Sequence, residues 1–437
     1  MPPRGWSGIE TLGYSSAGVS NFDLVLKLFF QLAVILAVCR LVGLVGSRLG
    51  QAQVVCEMVA GVLLGPSLLG LVAPQAQAWL FPKASMPVLY AISQVGLVLY
   101  MFMIGLEFDV GLILGRVRGA VLVSWTGVTV PLILGMLAGV ALRDDADLFA
   151  PEVSVMTGAL YLGAAMSITA FPMLARIIHE KGIARTRLGT LTLAAGASDD
   201  ALAWCLLAVV LSQIEGSPAT AVRTIAGAAL HCVFMLMIGR RLLVPLGRRV
   251  QRDGGLTPPT MVTALFVLML SAWATDAIGI YAVFGAFIAG VAMPRGAFAR
   301  EVTAHVDLLT TTFFLPVFFV YSGLNTRIGL LDSAHLWGIA LLVLAIAVAG
   351  KGLACLAAAR AAGEAWREAI TIGVLMNARG LMELIILNIG LERGVITPTL
   401  FTIMVVMALV TTLMASPLFE LLYGRHVVAV GAPARAG

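Results

Sequence analysis

Between residues 22 and 424 the chain is apolar almost throughout, and this patterning leaves very few folds open. Thirteen apolar segments stand out, at 23–47, 53–72, 86–107, 117–142, 153–178, 188–213, 218–241, 257–276, 278–294, 303–325, 334–360, 366–390 and 397–423. A helix rises about 1.5 Å per residue, so roughly 20 residues cross a hydrocarbon layer about 30 Å thick. In lipid every backbone N–H and C=O must find its partner inside the protein, which makes such segments helices. With 60% hydrophobic and 12% charged residues, the chain is predicted to be an all-α polytopic membrane protein of about 13 transmembrane helices.

The basic residues set an orientation. With the N-terminus outside, 18 of the 28 lysines and arginines fall on the inner side and five on the outer, as the positive-inside rule requires. Residues 1–21 read as an external tail, not a signal peptide, because no basic stretch leads into a short apolar core. Residues 425–437 read as a short internal tail. Cys39, Cys56, Cys205, Cys232 and Cys355 all fall within spans without Cys-x-x-Cys spacing, so they are expected to pack as small apolar residues. Nothing points to a cofactor, a nucleotide domain or nucleic-acid binding.

Two echoes suggest an internal repeat. Residues 105–112 and 323–330 share the pattern Gly-Leu-x-x-x-Val/Ile-Gly-Leu at the ends of spans three and ten, and 61–65 echoes 285–289 in spans two and nine. Both offsets are seven spans. An odd offset inverts one half relative to the other, an arrangement common among secondary transporters. The expected organisation is a first inverted repeat at 22–214, a linker helix and basic inner loop at 215–255, and a second repeat at 256–424. Spans five and twelve, also seven apart, look interrupted. The first contains Ser167, Thr169 and Pro172, and the second runs Met376-Asn377-Ala378-Arg379-Gly380. Proline removes an N–H and disfavours helix at the residue before it. Paired interruptions in equivalent spans point to a transport site.

Charge is out of place in four spans. Asp199 and Asp200 sit side by side near the middle of 188–211, next to Ser198. One ionised Asp at that depth costs roughly 2.5–3.5 kcal/mol on insertion scales, and the residues that bear such a cost usually handle protons or ions. The plainer alternative is a pair of structural hydrogen-bond acceptors. Lys351 lies too deep in its span to reach water easily, and Asp199 is the expected counter-ion. Arg379 and Glu383, four residues apart, would share a face of a regular helix and could pair. Glu57 is expected to serve packing or a hydrogen bond between helices.

These residues resemble the monovalent cation:proton antiporters, specifically the Kef-type and cation/H⁺ exchanger branch. The resemblance rests on 61–70, 105–109, 167–176, 198–204, 284–295 and 377–385 and covers nearly the whole length. It implies a fold with two crossed discontinuous helices, a mobile core and a homodimer in a bacterial inner membrane. It makes Asp200 the residue that carries the cation and proton, and Asp199 its neighbour. Thr169 then stands at the crossover, and Lys351 is the buried lysine of electrogenic members. Asn377, Arg379 and Glu383 support the core. Two departures bear on selectivity: Tyr281 replaces a common histidine, and Ala378 a common hydroxyl residue.

The expected activity is exchange of Na⁺ or K⁺ for protons. A cation channel on the same fold would need a filter-like segment lined by carbonyls or rings of charge, and none is evident. An exporter of an organic solute would need a roomier, aromatic-lined cavity, whereas these spans are rich in Ala, Gly and Ser. A non-transporting sensor has no need of the Asp199–Asp200–Lys351 set.

Overall fold

The computed structural model describes residues 21–424 except Gly50, Ala52, 109–116, Ala146, 184–185, 215–217, Ile280 and Asn325. The two expected tails, apart from Asn21, and Asp109 lie outside the described residues. The chain runs through α1 (Asn21–Arg48), α2 (Gln53–Leu64), α3 (Met86–Glu107), α4 (Val117–Ala141), α5 (Val155–Ser167), α6 (Phe171–Glu180) and α7 (Arg187–Ile214). It continues through α8 (218–253), α9 (Pro258–Ile278), α10 (Ala282–Ala292), α11 (297–324), α12 (Ala334–Ala361), α13 (Trp366–Met376), α14 (Leu381–Glu392) and α15 (Pro398–Phe419). π-helical turns at Phe234–Gly239, Thr310–Phe314 and Val348–Leu353 interrupt α8, α11 and α12.

Among the described residues nine helices are long and apolar enough to cross a bilayer. The thirteen expected spans are not reached by that measure. The broken spans fall into halves of 10 to 13 residues, and α10 has only 11. The helix ends follow local chemistry. Ser154, Ser333 and Thr397 cap α5, α12 and α15 by accepting backbone N–H bonds. Gly254 and Gly279 close α8 and α9 in the left-handed conformation.

The helices pack in two groups, each drawn from both halves of the chain. One joins α1–α3 to α9–α11; the other joins α4–α7 to α12–α15. In the first group two crossings bring backbone onto backbone through glycine. A Cβ on Gly61 would lie 2.6 Å from the Phe319 carbonyl oxygen, where α2 meets α11. A Cβ on Gly290 would lie 2.2 Å from the Phe102 carbonyl oxygen, where α10 meets α3. A shift of seven spans carries each crossing onto the other, as inverted repeats require. In the second group α4 packs on α5 through Gly135, Gly139 and Gly163, so their backbones approach closely.

Both expected interruptions are present, with one difference. Phe171 and Pro172 are the first two residues of α6, so the proline starts a helix instead of kinking one. A proline in the first turn gives up an N–H that has no helical partner anyway. The break is the three residues before it, Ile168 to Ala170; its counterpart is Asn377 to Gly380. Among the cysteines, Cys39, Cys56 and Cys355 are buried, but Cys205 is exposed and does not pack as expected.

Candidate functional site

The two breaks touch. The Ala170 N–H donates to the Ala378 carbonyl at 3.2 Å, so each unwound backbone supplies a partner that the other's missing helix would have provided. The contact uses the main chain of Ala378, and a methyl side chain suffices there.

The end of α5 is where charge collects. Its last carbonyls have no helical N–H to accept, because the helix stops at Ser167. Two fully buried cations take them. The Arg379 guanidinium donates to the Met166 carbonyl at 2.7 Å and to that of Ala165 at 3.4 Å. The Lys351 ammonium donates to the Ser167 carbonyl and, at 3.0 Å, to the Gly127 carbonyl of α4. Cations belong at this end of a helix dipole. On the far side of the break the polarity reverses: the Phe171 N–H, the first of α6, reaches the Asp200 carboxylate.

Asp199 and Asp200, mid-way along α7, are both buried but differently furnished. One Asp199 oxygen, Oδ2, accepts from the Thr169 hydroxyl at 2.5 Å and lies 3.3 Å from the Lys351 ammonium. Oδ1 of Asp199 and Oδ1 of Asp200 both lack a hydrogen-bond partner among the described residues, and no basic side chain there pairs with Asp200. The ion pair sets the Asp199 and Lys351 charges against each other, and Asp200 has no such partner among the described residues.

Around this centre the sequence-predicted residues divide. Thr169, Asp199 and Lys351 come together as expected. Asn377 supports the lysine's helix: its amide lies 3.4 Å from the Val348 carbonyl, in the π-helical turn that bears Lys351. Its Oδ1 has no partner among the described residues. Arg379 stands in the break rather than on a helix with Glu383, and the 3.6 Å between them is an ion pair without a hydrogen bond. Ser198 turns back to the Ala194 carbonyl of its own helix at 3.0 Å. Glu57 is buried and accepts from Gln53, one turn earlier on α2, at 3.2 Å.

Thr412 on α15 was not singled out in the sequence. Its hydroxyl accepts the Arg379 N–H at 3.0 Å and lies 2.8 Å from the Arg379 and Ala408 carbonyl oxygens. It therefore pins the second break at its arginine. The available signal was the Thr411-Thr412 doublet in an otherwise apolar span.

Comparison with known proteins places this arrangement. A family model described as the transmembrane sodium/hydrogen exchanger matches residues 33–422. The chain is 39% identical over 401 residues to the Na(+)/H(+) antiporter NhaS4 of Synechocystis, covering 91% of this chain and 98% of that one. It is 35% identical over 416 residues to cation/H(+) antiporter 18 of Arabidopsis thaliana, covering 93% of this chain but 50% of the plant protein. The chain thus spans about half the length of such longer relatives. Among solved structures, the sodium proton antiporter MjNhaP1 of Methanocaldococcus jannaschii aligns with a TM-score of 0.65 at 15% identity, over 94% of this chain and 100% of that one.

Proposed function

Because the chain belongs to the transmembrane sodium/hydrogen exchanger family, we propose that it exchanges a monovalent cation, Na⁺ or K⁺, for protons across a membrane by alternating access. The observation that carries this is the Asp199–Lys351 pair beside the open Asp200 carboxylate, held between two broken helices that cross. A lone carboxylate at this depth is costly, so Asp200 exchanges one neutralising partner for another. A proton and a cation compete for it, and because the site cannot hold both fully, exchange is obligatory. Asp199 is the partner that Lys351 and Thr169 hold until the cation binds. Displacement of Lys351 frees a second proton, so two protons move per cation and the cycle carries charge.

In this reading α4–α7 and α12–α15 move against α1–α3 and α9–α11, with repeats at 22–214 and 256–424 joined by the linker at 215–255. Ser198, beside the pair, joins Asp199, Asp200 and Thr169 as an oxygen for the bound ion or proton. Asn377, Arg379 and Glu383 hold the crossing in shape. The N-terminus lies outside, the C-terminus is cytoplasmic, and the unit is a homodimer in a bacterial inner membrane.

Asp200→Asn in proteoliposomes tests the assignment. Cation-driven proton flux is expected to vanish while the protein remains folded by thermal unfolding. Persistent flux in that variant would sink the proposal.

A further inference from the structure

The cytoplasmic continuation of α8 carries a feature that ion exchange does not use. The apolar helix Val222–Asp253 has 32 residues. At about 1.5 Å per residue it is about 48 Å long, against a hydrocarbon layer of about 30 Å. The overshoot, about 18 Å by the same measure, bears Arg248, Arg249 and Arg252, and Arg240 and Arg241 sit at its start, all exposed. Among the described residues no carboxylate pairs with the first four, and Arg252 pairs only with its neighbour Asp253.

The helix is not free to turn these side chains elsewhere. Leu243, Leu246 and Val250 are buried, and this part of α8 packs on the first part of α11, Ala297–Leu309. A Cβ on Gly247 would lie 2.9 Å from Pro294, so the contact with the α10–α11 turn is tight. At about 100° per residue, Arg241, Arg248 and Arg252 stack on the face opposite that buried stripe, over about 16 Å of axis. Leu242 and Val244, 67% and 41% exposed, flank this ridge on either side. A ridge of guanidinium groups flanked by bare aliphatic side chains at the level where hydrocarbon gives way to water matches one kind of partner.

We infer that this ridge binds anionic phospholipid headgroups, the guanidinium groups taking phosphate oxygens in pairs while Leu242 and Val244 contact the upper acyl chain. The proposal needs only that the chain spans a bilayer. It does not depend on which ion is exchanged, and its readout is independent of transport.

The test is thermal unfolding of the full chain in a neutral detergent. Added phosphatidylglycerol is expected to raise the midpoint by about 4 °C, and phosphatidylcholine to leave it unmoved. The triple variant R241Q/R248Q/R252Q should fold with the wild-type midpoint in detergent alone but lose the lipid response. The control R40Q/R118Q, exposed arginines away from the ridge, should keep it. An equal lipid response in the triple variant would overturn the inference. So would an equal rise with inorganic phosphate, which would make the ligand a soluble anion, or with poly-glutamate, which would make the ridge a face for an acidic protein. If the triple variant fails to fold, single substitutions graded along the ridge must each reduce the lipid response, and a flat series overturns it.

Discussion

Asp199 and Asp200 are neighbours in sequence but not equivalents. Each keeps its Oδ1 without a hydrogen-bond partner among the described residues, but Asp199 carries a hydroxyl and an ammonium on its other oxygen, and among the described residues no basic side chain pairs with Asp200. Lys351→Gln should separate their roles. Breaking a buried ion pair costs about 3–5 kcal/mol when the remaining charge cannot be relieved, and here a proton on Asp199 can relieve part of it. The expected variant exchanges cations for protons without a current on solid-supported membranes, and its thermal midpoint falls. A second contrast is in α15. Thr412→Val removes the hydroxyl that holds the second break and should cost about 1–3 kcal/mol. Thr411→Val, whose hydroxyl bonds only to its own helix at Met407 and Ala408, should change stability by less than about 0.5 kcal/mol. Thermal unfolding of the two variants side by side decides this. The charged residues of the site were legible in the sequence, because a carboxylate or ammonium in an apolar span announces itself. Their acceptors were not. Gly127, Ser167, Ala165 and Met166 act through carbonyl oxygens, which every residue has, and only the tertiary placement of α4 and α5 selects them. The same limit explains Arg379, whose spacing suggested Glu383 but whose guanidinium is taken by the open end of α5.

The helices themselves were legible wherever length and hydropathy agree, as in α1, α3 and α15, and the breaks at Ile168–Ala170 and Asn377–Gly380 were visible as polar and glycine-bearing interruptions. The π-helical turn at Val348–Leu353 was not, since one extra residue per turn leaves no compositional trace. Such turns recur at functional positions, and this one bears Lys351. The glycine crossings gave an echo in the sequence, and their packing gives it a cause. Gly290→Ala would drive a Cβ to 2.2 Å from the Phe102 carbonyl oxygen, backbone that cannot rotate away. Overpacking of this kind costs about 2 kcal/mol or more. Gly329→Ala, with nothing within 4 Å of the added carbon, should be near neutral. Comparing the two thermal midpoints checks whether the crossing, and not glycine content as such, carries the stability.

For the whole molecule, competition at one carboxylate has a direction in pH. Lowering the pH adds the competitor, so the apparent KM for the cation should rise, by up to about tenfold per pH unit where one proton competes, with the maximal rate little changed. Initial rates in proteoliposomes at a series of matched internal and external pH values measure it, and a KM independent of pH would contradict a shared site. The two helix groups, each built from both halves of the chain, give the site a moving wall and a fixed one. When a cation takes the place of Lys351 at Asp199 and the lysine gives up a proton, the amine left behind must keep its remaining N–H groups partnered inside the protein. The Gly127 and Ser167 carbonyls provide this: they hold two of the lysine's three protons, and the third, toward Asp199, is the one given up. Lys351 therefore has a berth of its own. With those two bonds kept, letting go of Asp199 takes only a small swing of the side chain, and the exchange of partners becomes a short, reversible step.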